Sequence, residues 1–290
     1  MARLQSQRFL ANDCSSKQAG GHFHPPAAVS KERGNMEITV LGFSNGLDCL
    51  DSANTSLLVR TAKTSILIDV SGSPRQSLLK AGLDSLSLDA VLLTHGHIDH
   101  IYAFPSLIHS MWLQGRTKPL MVAGNDLAIE VCRHFFSYFR LDGKVKFRID
   151  WKDASSKEVG DIQVSSFSLY HRPDVPVNGY TFVADGIKVS YFPDSVASFV
   201  IPECAIGSDI LLHEAGGLDK DREEINKSHT TALQAAMMAK KAKAKELFLV
   251  HVPENLDLQK RMLIEARDVF PNTFIPSSFQ KLSWKNGLRI

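Results

Sequence analysis

One run, Thr94-His95-Gly96-His97-Ile98-Asp99-His100, constrains this chain more than any other stretch. Three histidines and an aspartate fall within six positions, directly after the apolar segment Ala90–Leu93, which reads as a strand buried on both faces. A strand end followed by a tight glycine-containing turn lets successive side chains converge on one point instead of spreading over a surface. Imidazole and carboxylate groups are the donors that zinc-type ions take. His95 and His97 are placed to reach one ion, and Asp99 and His100, beyond the turn, a second. The competing interpretation, a polar surface loop after a core strand, requires no such concentration of donors.

Four donors are too few for two ions, so the pattern predicts others elsewhere. His171 follows the strand-like run Ile162–Leu169, Asp194 follows Lys188–Phe192, and His251 ends Glu246–Val250. Each is a metal-competent residue at the carboxyl end of an apolar strand. Taken singly, either histidine also reads as a hydrogen-bonded residue at a sheet edge, and Asp194 as part of the turn Pro193-Asp194-Ser195.

The rest of the pattern is a mixture of both element types. Glu37–Phe43, Thr55–Arg60 and Ser65–Val70 read as strands, and Pro74–Ala81 as a short helix closed by Gly82. Helical patterns at Pro105–Gly115 and Asp126–Leu141 flank a strand at Leu120–Ala123. Tyr180–Ala184 and Lys188–Phe192 form a hairpin about Asp185-Gly186. Asp209–His213 is a further strand, and Thr230–Ala244 a helix with Leu233, Ala236 and Met237 on one face. This order predicts an α/β fold over residues 36–290 as one domain, with two sheets sandwiched between helical layers. Residues 1–35, rich in Ser, Gln, Gly, Pro and Ala, read as a disordered tail in which His22 and His24 are solvated. The tail's surplus of Arg and Lys suits an organellar transit peptide, but Asp13, Glu32 and Pro25-Pro26 count against one.

Composition narrows the function classes. With 44% hydrophobic and 22% charged residues the chain is of globular type, and no apolar run approaches a membrane span. Lys and Arg number 33 against 31 acidic residues, so net charge does not advertise a nucleic-acid binder. Cys14, Cys49, Cys132 and Cys204 are scattered without a CxxC, and read as free thiols in a reducing cytoplasm. His109 and His134 fall in helical stretches as packed or solvated residues. Lys240, Lys241, Lys243 and Lys245 read as a solvated helix end. Phe135, Phe136, Tyr138 and Phe139 read as core, some of them necessarily facing outward.

With its donors in this order, the sequence resembles the metallo-β-lactamase superfamily from about Met36 to His251. The resemblance implies an αββα sandwich in which Asp69 supports the metal turn from behind. It implies one divalent ion on His95, His97, His171 and Asp194, and a second on Asp99, His100, Asp194 and His251, with Asp194 bridging. Zinc heads the candidates, and manganese and iron also suit such donors. Aspartate at the bridging position, where cysteine would stand, separates the chain from the common β-lactamase subgroup.

Within the superfamily the sequence is similar to the ribonuclease Z family, endonucleases that trim the 3′ end of precursor tRNA. Ile98-Asp99-His100-Ile101-Tyr102-Ala103-Phe104-Pro105-Ser106-Leu107, Gly179-Tyr180, His213-Glu214-Ala215 and His229-Thr230-Thr231 carry that likeness. It implies that Glu214 orients His229, the proton donor to the leaving oxygen, and that the chain forms a homodimer. Asp99, bound to an ion through one oxygen, has the other free to accept the water's proton, and so is expected to double as general base. From the residues alone, Ser228 or Thr230 could instead cap the helix while His229 faces solvent. The expected function is a dinuclear-metal hydrolase that cleaves phosphodiester bonds with metal-bound hydroxide, of the tRNA 3′-processing type. The alternative is a small-molecule hydrolase acting on a cyclic nucleotide, sulfate ester or thioester. Departures from the family concern specificity. Only 22 residues separate His171 from Asp194, too few for the family's tRNA-clamping arm. Gly216 stands where the family loop has Thr, and Asn125 where a Gly-Pro pair is usual.

Overall fold

The computed structural model describes residues 36–155, 157–285 and 288–289, so the expected tail at 1–35, with His22 and His24, lies outside the described residues. Short β-branched and apolar runs build β1 (Glu37–Gly42), β2 (Ser56–Arg60), β3 (Ser65–Ile68), β4 (Ala90–Leu92), β5 (Leu120–Gly124) and β6 (Ile149–Asp153). A second set comprises β7 (Glu158–Val159), β8 (Ile162–Arg172), β9 (Val175–Ala184), β10 (Ile187–Phe192), β11 (Ile210–Glu214), β12 (Glu246–Val250) and β13 (Thr273–Phe274). Finally β14 (Lys281–Lys285) and β15 (Leu288–Arg289) return to the first sheet, whose order is β15-β14-β1-β2-β3-β4-β5-β6. The second sheet runs β13-β12-β11-β10-β9-β8-β7.

Two-residue periodicity decides how the sheets stack. Leu57 and Val59 of β2 join Ile38, Val40, Ile66 and Ile68 in a core shared with Phe182, Tyr191, Ile210 and Phe248 of the second sheet. Leu58, between them, points the other way, into a separate cluster with Leu67, Val91 and Val122. That outer face is covered by α1 (Pro74–Lys80), the single-turn α2 (Ile98–Ile101), α3 (Phe104–Leu113) and α4 (Asp126–Tyr138), through Leu78, Ile101, Phe104, Leu107 and Cys132. After the single turn α5 (Arg222–Ile225), α6 (Ala232–Lys241) and α7 (Leu256–Arg267) pack on the second sheet. The architecture is the expected helix–sheet–sheet–helix sandwich.

Strands β3 to β6 run parallel, as do β10 to β13, and their carboxyl ends emerge on one side of the molecule. In open α/β sheets that side is where ligands bind. Among the described residues, no helix is long and apolar enough to cross a membrane.

Several local expectations need correction. β8 continues to Arg172 and β9 begins at Val175, so His171 lies inside a long strand and not after it. α6 begins at Ala232 under a capping box in which Thr231 accepts from Gln234 N and Gln234 accepts from Thr231 N. The cap is therefore Thr231, not Ser228 or Thr230. The buried residues of that helix are Ala232, Gln234, Ala235, Ala236, Met238 and Ala239, so of the expected face Ala236 is buried, Leu233 half-buried and Met237 exposed. Strands β6 and β14 and helix α7 were not expected from the pattern.

Candidate metal centre

The site forms where β3, β4, β8, β10, β11 and β12 end. Asp69 follows β3 with a left-handed backbone, φ 56°, and is completely buried. Its Oδ1 accepts from Thr94 N at 2.8 Å, and its Oδ2 accepts from Thr94 Oγ1 at 2.8 Å and from His100 Nδ1 at 2.7 Å. A carboxylate can only accept, so the His100 proton sits on Nδ1 and its Nε2 lone pair turns into the pocket. Thr94 Oγ1, having given its proton to Asp69, accepts from His95 Nδ1 at 3.0 Å, which turns His95 Nε2 inward too. His171 Nδ1 donates to Ser228 O at 2.5 Å with the same consequence for its Nε2. Three histidines thus have the tautomer that ligation requires, each set by a neighbour behind it.

The inward atoms converge. His97 Nδ1 lies 3.0 Å from His95 Nε2 and 3.3 Å from His171 Nε2. Tetrahedral nitrogen ligands at ~2.0–2.1 Å from one ion stand ~3.4 Å apart, so these spacings suit a shared cation. Asp194, buried after β10, places Oδ2 4.0 Å from His95 Nε2 and 3.3 Å from His251 Nε2, and Oδ1 3.5 Å from His100 Nε2. Asp99 Oδ2 is 3.5 Å from His100 Nε2 and 3.4 Å from His251 Nε2. Among the described residues three donor groups result, His95–His97–His171–Asp194, Asp99–His100–His251 and Asp194–His229–His251, with the atoms of each within 4.8 Å of one another. Asp194 belongs to the first and third and borders the second.

Charge and satisfaction agree with that geometry. Burial lowers His95, His97 and His171, the last to about 4, so all three stay neutral at pH 7 and free to ligate. Burial opposes ionisation of Asp194, yet His251 and His100 outweigh it and hold the carboxyl well below its ordinary range. For His100 burial is likewise overcome, by Asp194 and Asp69, which raise it well above the histidine range. Carboxylate charge at this end of the pocket calls for a cation, and a proton on His100 competes with a metal ion to supply it. His100 Nε2 and Asp194 Oδ1 are buried without a hydrogen-bond partner among the described residues. Buried polar atoms are rarely left so unless something else satisfies them. The donor set fits a pair of divalent cations.

Beside the donors stands a second pair. Glu214, buried at the end of β11, accepts from His229 Nδ1 at 3.1 Å. Burial lowers His229, but the Glu214 carboxylate outweighs it and brings the imidazole to about 9, so it carries a proton at neutral pH. The His229 side chain is 28% exposed, and its ring lies 5.0 Å from that of His171 and 5.4 Å from that of His251. It therefore faces the pocket mouth, neither turned to bulk solvent nor capping a helix.

Two of the three departures from the family pattern, Asn125 and Gly216, have local explanations. Asn125 caps α4 by accepting from Ala128 N, and its amide donates to Thr94 O and Pro176 O, tying the metal turn to β9. A Cβ on Gly216 would stand 3.2 Å from His229 Cβ, so glycine lets the loop after β11 pass close beside His229. Pattern reading missed the parts played by Thr94, Ser195, Ser228 and Thr230, whose only sequence signal is adjacency to a donor. His213 is buried, its ring stacks on Phe192 at 5.2 Å, and its Nδ1 donates to Glu214 O at 2.8 Å.

Burial pushes His213 down to about 4, against 6.5 when exposed. The unfolded chain therefore takes up a proton between these values that the folded chain refuses, and stability falls as pH drops from 6.5 towards 4. The difference corresponds to about 3 kcal/mol. His213→Leu does not titrate, so denaturant unfolding of the chelator-treated proteins should show the wild-type-minus-variant stability shrinking by that amount over this pH window. A pH-independent difference would place the charge elsewhere.

Comparison with known proteins agrees with the geometry. A ribonuclease Z from Bradyrhizobium is 24% identical over an alignment covering 86% of this chain and 99% of the relative. The metallo-β-lactamase fold protein YhfI from Bacillus subtilis superimposes with a TM-score of 0.73 at 22% identity, covering 87% of this chain and all of that one. The short form of human tRNase Z gives 0.67 at 20% identity, covering 85% and 98%. A family model described as the β-lactamase superfamily domain matches residues 64–252, from the strand ahead of Asp69 to the residue after His251, and the chain belongs to that superfamily, as a metal-dependent hydrolase.

Proposed function

We propose that this chain cleaves phosphodiester bonds at a dinuclear metal centre, with RNA as the substrate in the manner of its ribonuclease Z relatives. One observation carries the reading: two donor groups meet at Asp194 with the protonated His229–Glu214 pair beside them. His95, His97, His171 and Asp194 would hold one ion, and Asp99, His100, His251 and the same Asp194 the other. Bound ions of this kind lower the pKa of water and neutralise charge developing on the phosphoryl oxygens. Asp99, buried only in part, keeps a carboxylate oxygen available as general base. His229 donates its proton to the departing oxygen, and Glu214 holds the imidazole in the orientation and charge state that this needs. Zinc is the first candidate metal. Free Cys49, Cys132 and Cys204 suit a reducing cytoplasm, and the family likeness suggests a homodimer.

A small diester is the rival substrate, favoured by one feature. The segment joining His171 to Asp194 is filled by β9, β10 and their turn, with no span left for a clamping arm. Incubation with precursor tRNA and with bis(p-nitrophenyl) phosphate, each with and without chelator, separates the two. Metal-dependent trimming of the tRNA 3′ end is expected. Turnover of the small diester alone would remove RNA from the proposal, and undiminished turnover in chelator would remove the metal centre.

A further inference from the structure

Glu214 makes more contacts than the orientation of His229 demands. Its Oε1 also accepts from Ser195 N at 3.0 Å and from Thr230 N at 3.0 Å. Ser195 follows the bridging Asp194, and Thr230 follows His229. The two segments are joined a second time by Thr230 Oγ1, which donates to Ser195 O at 2.7 Å. One residue further back in the same loop, Ser228 O fixes the tautomer of His171. Glu214, Ser195, Thr230 and His171 are buried and Ser228 half-buried, and Glu214 Oε2 has no partner among the described residues. A buried carboxylate oxygen that satisfies two main-chain donors from separate loops costs heavily to remove, because both amides are then left unpaired.

We infer that Glu214 is a positioning residue for the metal centre itself: it clasps the Asp194 loop to the 228–230 loop, so that the bridging carboxylate and His171 meet the ions in register. This rests on the dinuclear reading above. It separates two tasks within one side chain. The clasp needs an oxygen acceptor at Oε1, and proton donation through His229 needs the charge. Outer groups that orient ligands typically govern metal affinity by about 10–100-fold.

The test is Zn²⁺ titration of chelator-stripped protein against a competing chelator, with turnover measured on the same samples. Glu214→Gln keeps an oxygen at the clasp and loses the charge, so it should bind Zn²⁺ within about threefold of wild type while turnover drops. Glu214→Ala loses the clasp and should bind at least about tenfold more weakly. His229→Ala, which leaves the clasp intact, should bind as wild type. Should Glu214→Ala fail to fold, Thr230→Val cuts only the Oγ1 tie to Ser195 and should still weaken binding. Wild-type affinity in Glu214→Ala, or in Thr230→Val where that variant decides, would overturn the clasp, as would equal weakening in the Gln and Ala variants. No uptake by the wild-type protein would instead overturn the dinuclear reading beneath it.

Discussion

Asp194→Ala is expected to strip at least one metal equivalent from each chain and to lower turnover by on the order of 10³ or more. The expectation follows from position. Among the described residues Asp194 is the one carboxylate within 4.0 Å of the inward nitrogens of His95, His100 and His251 together, and it is buried. Without it the first donor group keeps three imidazoles and no negative charge, and the second loses its link to the first. Elemental analysis of the purified variant gives the metal count, and near-ultraviolet dichroism shows whether the fold is kept. Two equivalents retained in a folded variant would mean that the bridge lies elsewhere.

The second large effect belongs to His229. His229→Ala should lower kcat by about 10²–10⁴ with the metal content unchanged, as befits loss of a proton donor. The structure makes the metal count decisive, because His229 also lies close enough to Asp194 and His251 for the three to form a candidate ligand group. Its ion pair with Glu214 favours the donor role, since that pairing keeps a proton on the imidazole while no ion displaces it, and the metal count decides between the two roles. A variant that loses an equivalent of metal together with its activity would reassign His229 as a ligand.

How much of this was legible beforehand depended on how locally each feature is determined. The metal turn could be read because all its chemistry lies within Thr94–His100, next to a strand whose burial shows in its composition. The hairpin about Asp185-Gly186 was equally local, since Asp185 takes φ 53° and Gly186 φ 79°, the backbone such turns demand. The end of β8 was not. Ser168 and Tyr170 are exposed, so its apolar signal fades before the strand does, and only pairing with β9 carries it on to Arg172. β6 and β14 are half polar and owe their conformation to β5 and β1, their partners in the sheet. α7 carries little signal in the sequence because only Met262 and Ala266 of its length are buried, too thin a stripe to stand out. Within the site, the ligand types were evident, but the groups that aim them are main-chain amides and carbonyls, which every residue possesses.

The pairing of β1 with β14 has a consequence for how the chain is made. Ile38 meets Leu282 and Glu37 meets Ser283, partners separated by 244 and 246 positions along the chain. At ordinary translation rates β1 emerges from the ribosome tens of seconds before its second neighbour exists. Throughout that interval the nascent chain carries an open sheet edge, the kind of surface that chaperones shield and aggregates exploit. Completion of the first sheet is therefore a late event, set by synthesis of the last strands and not by the intrinsic speed of the central parallel ones.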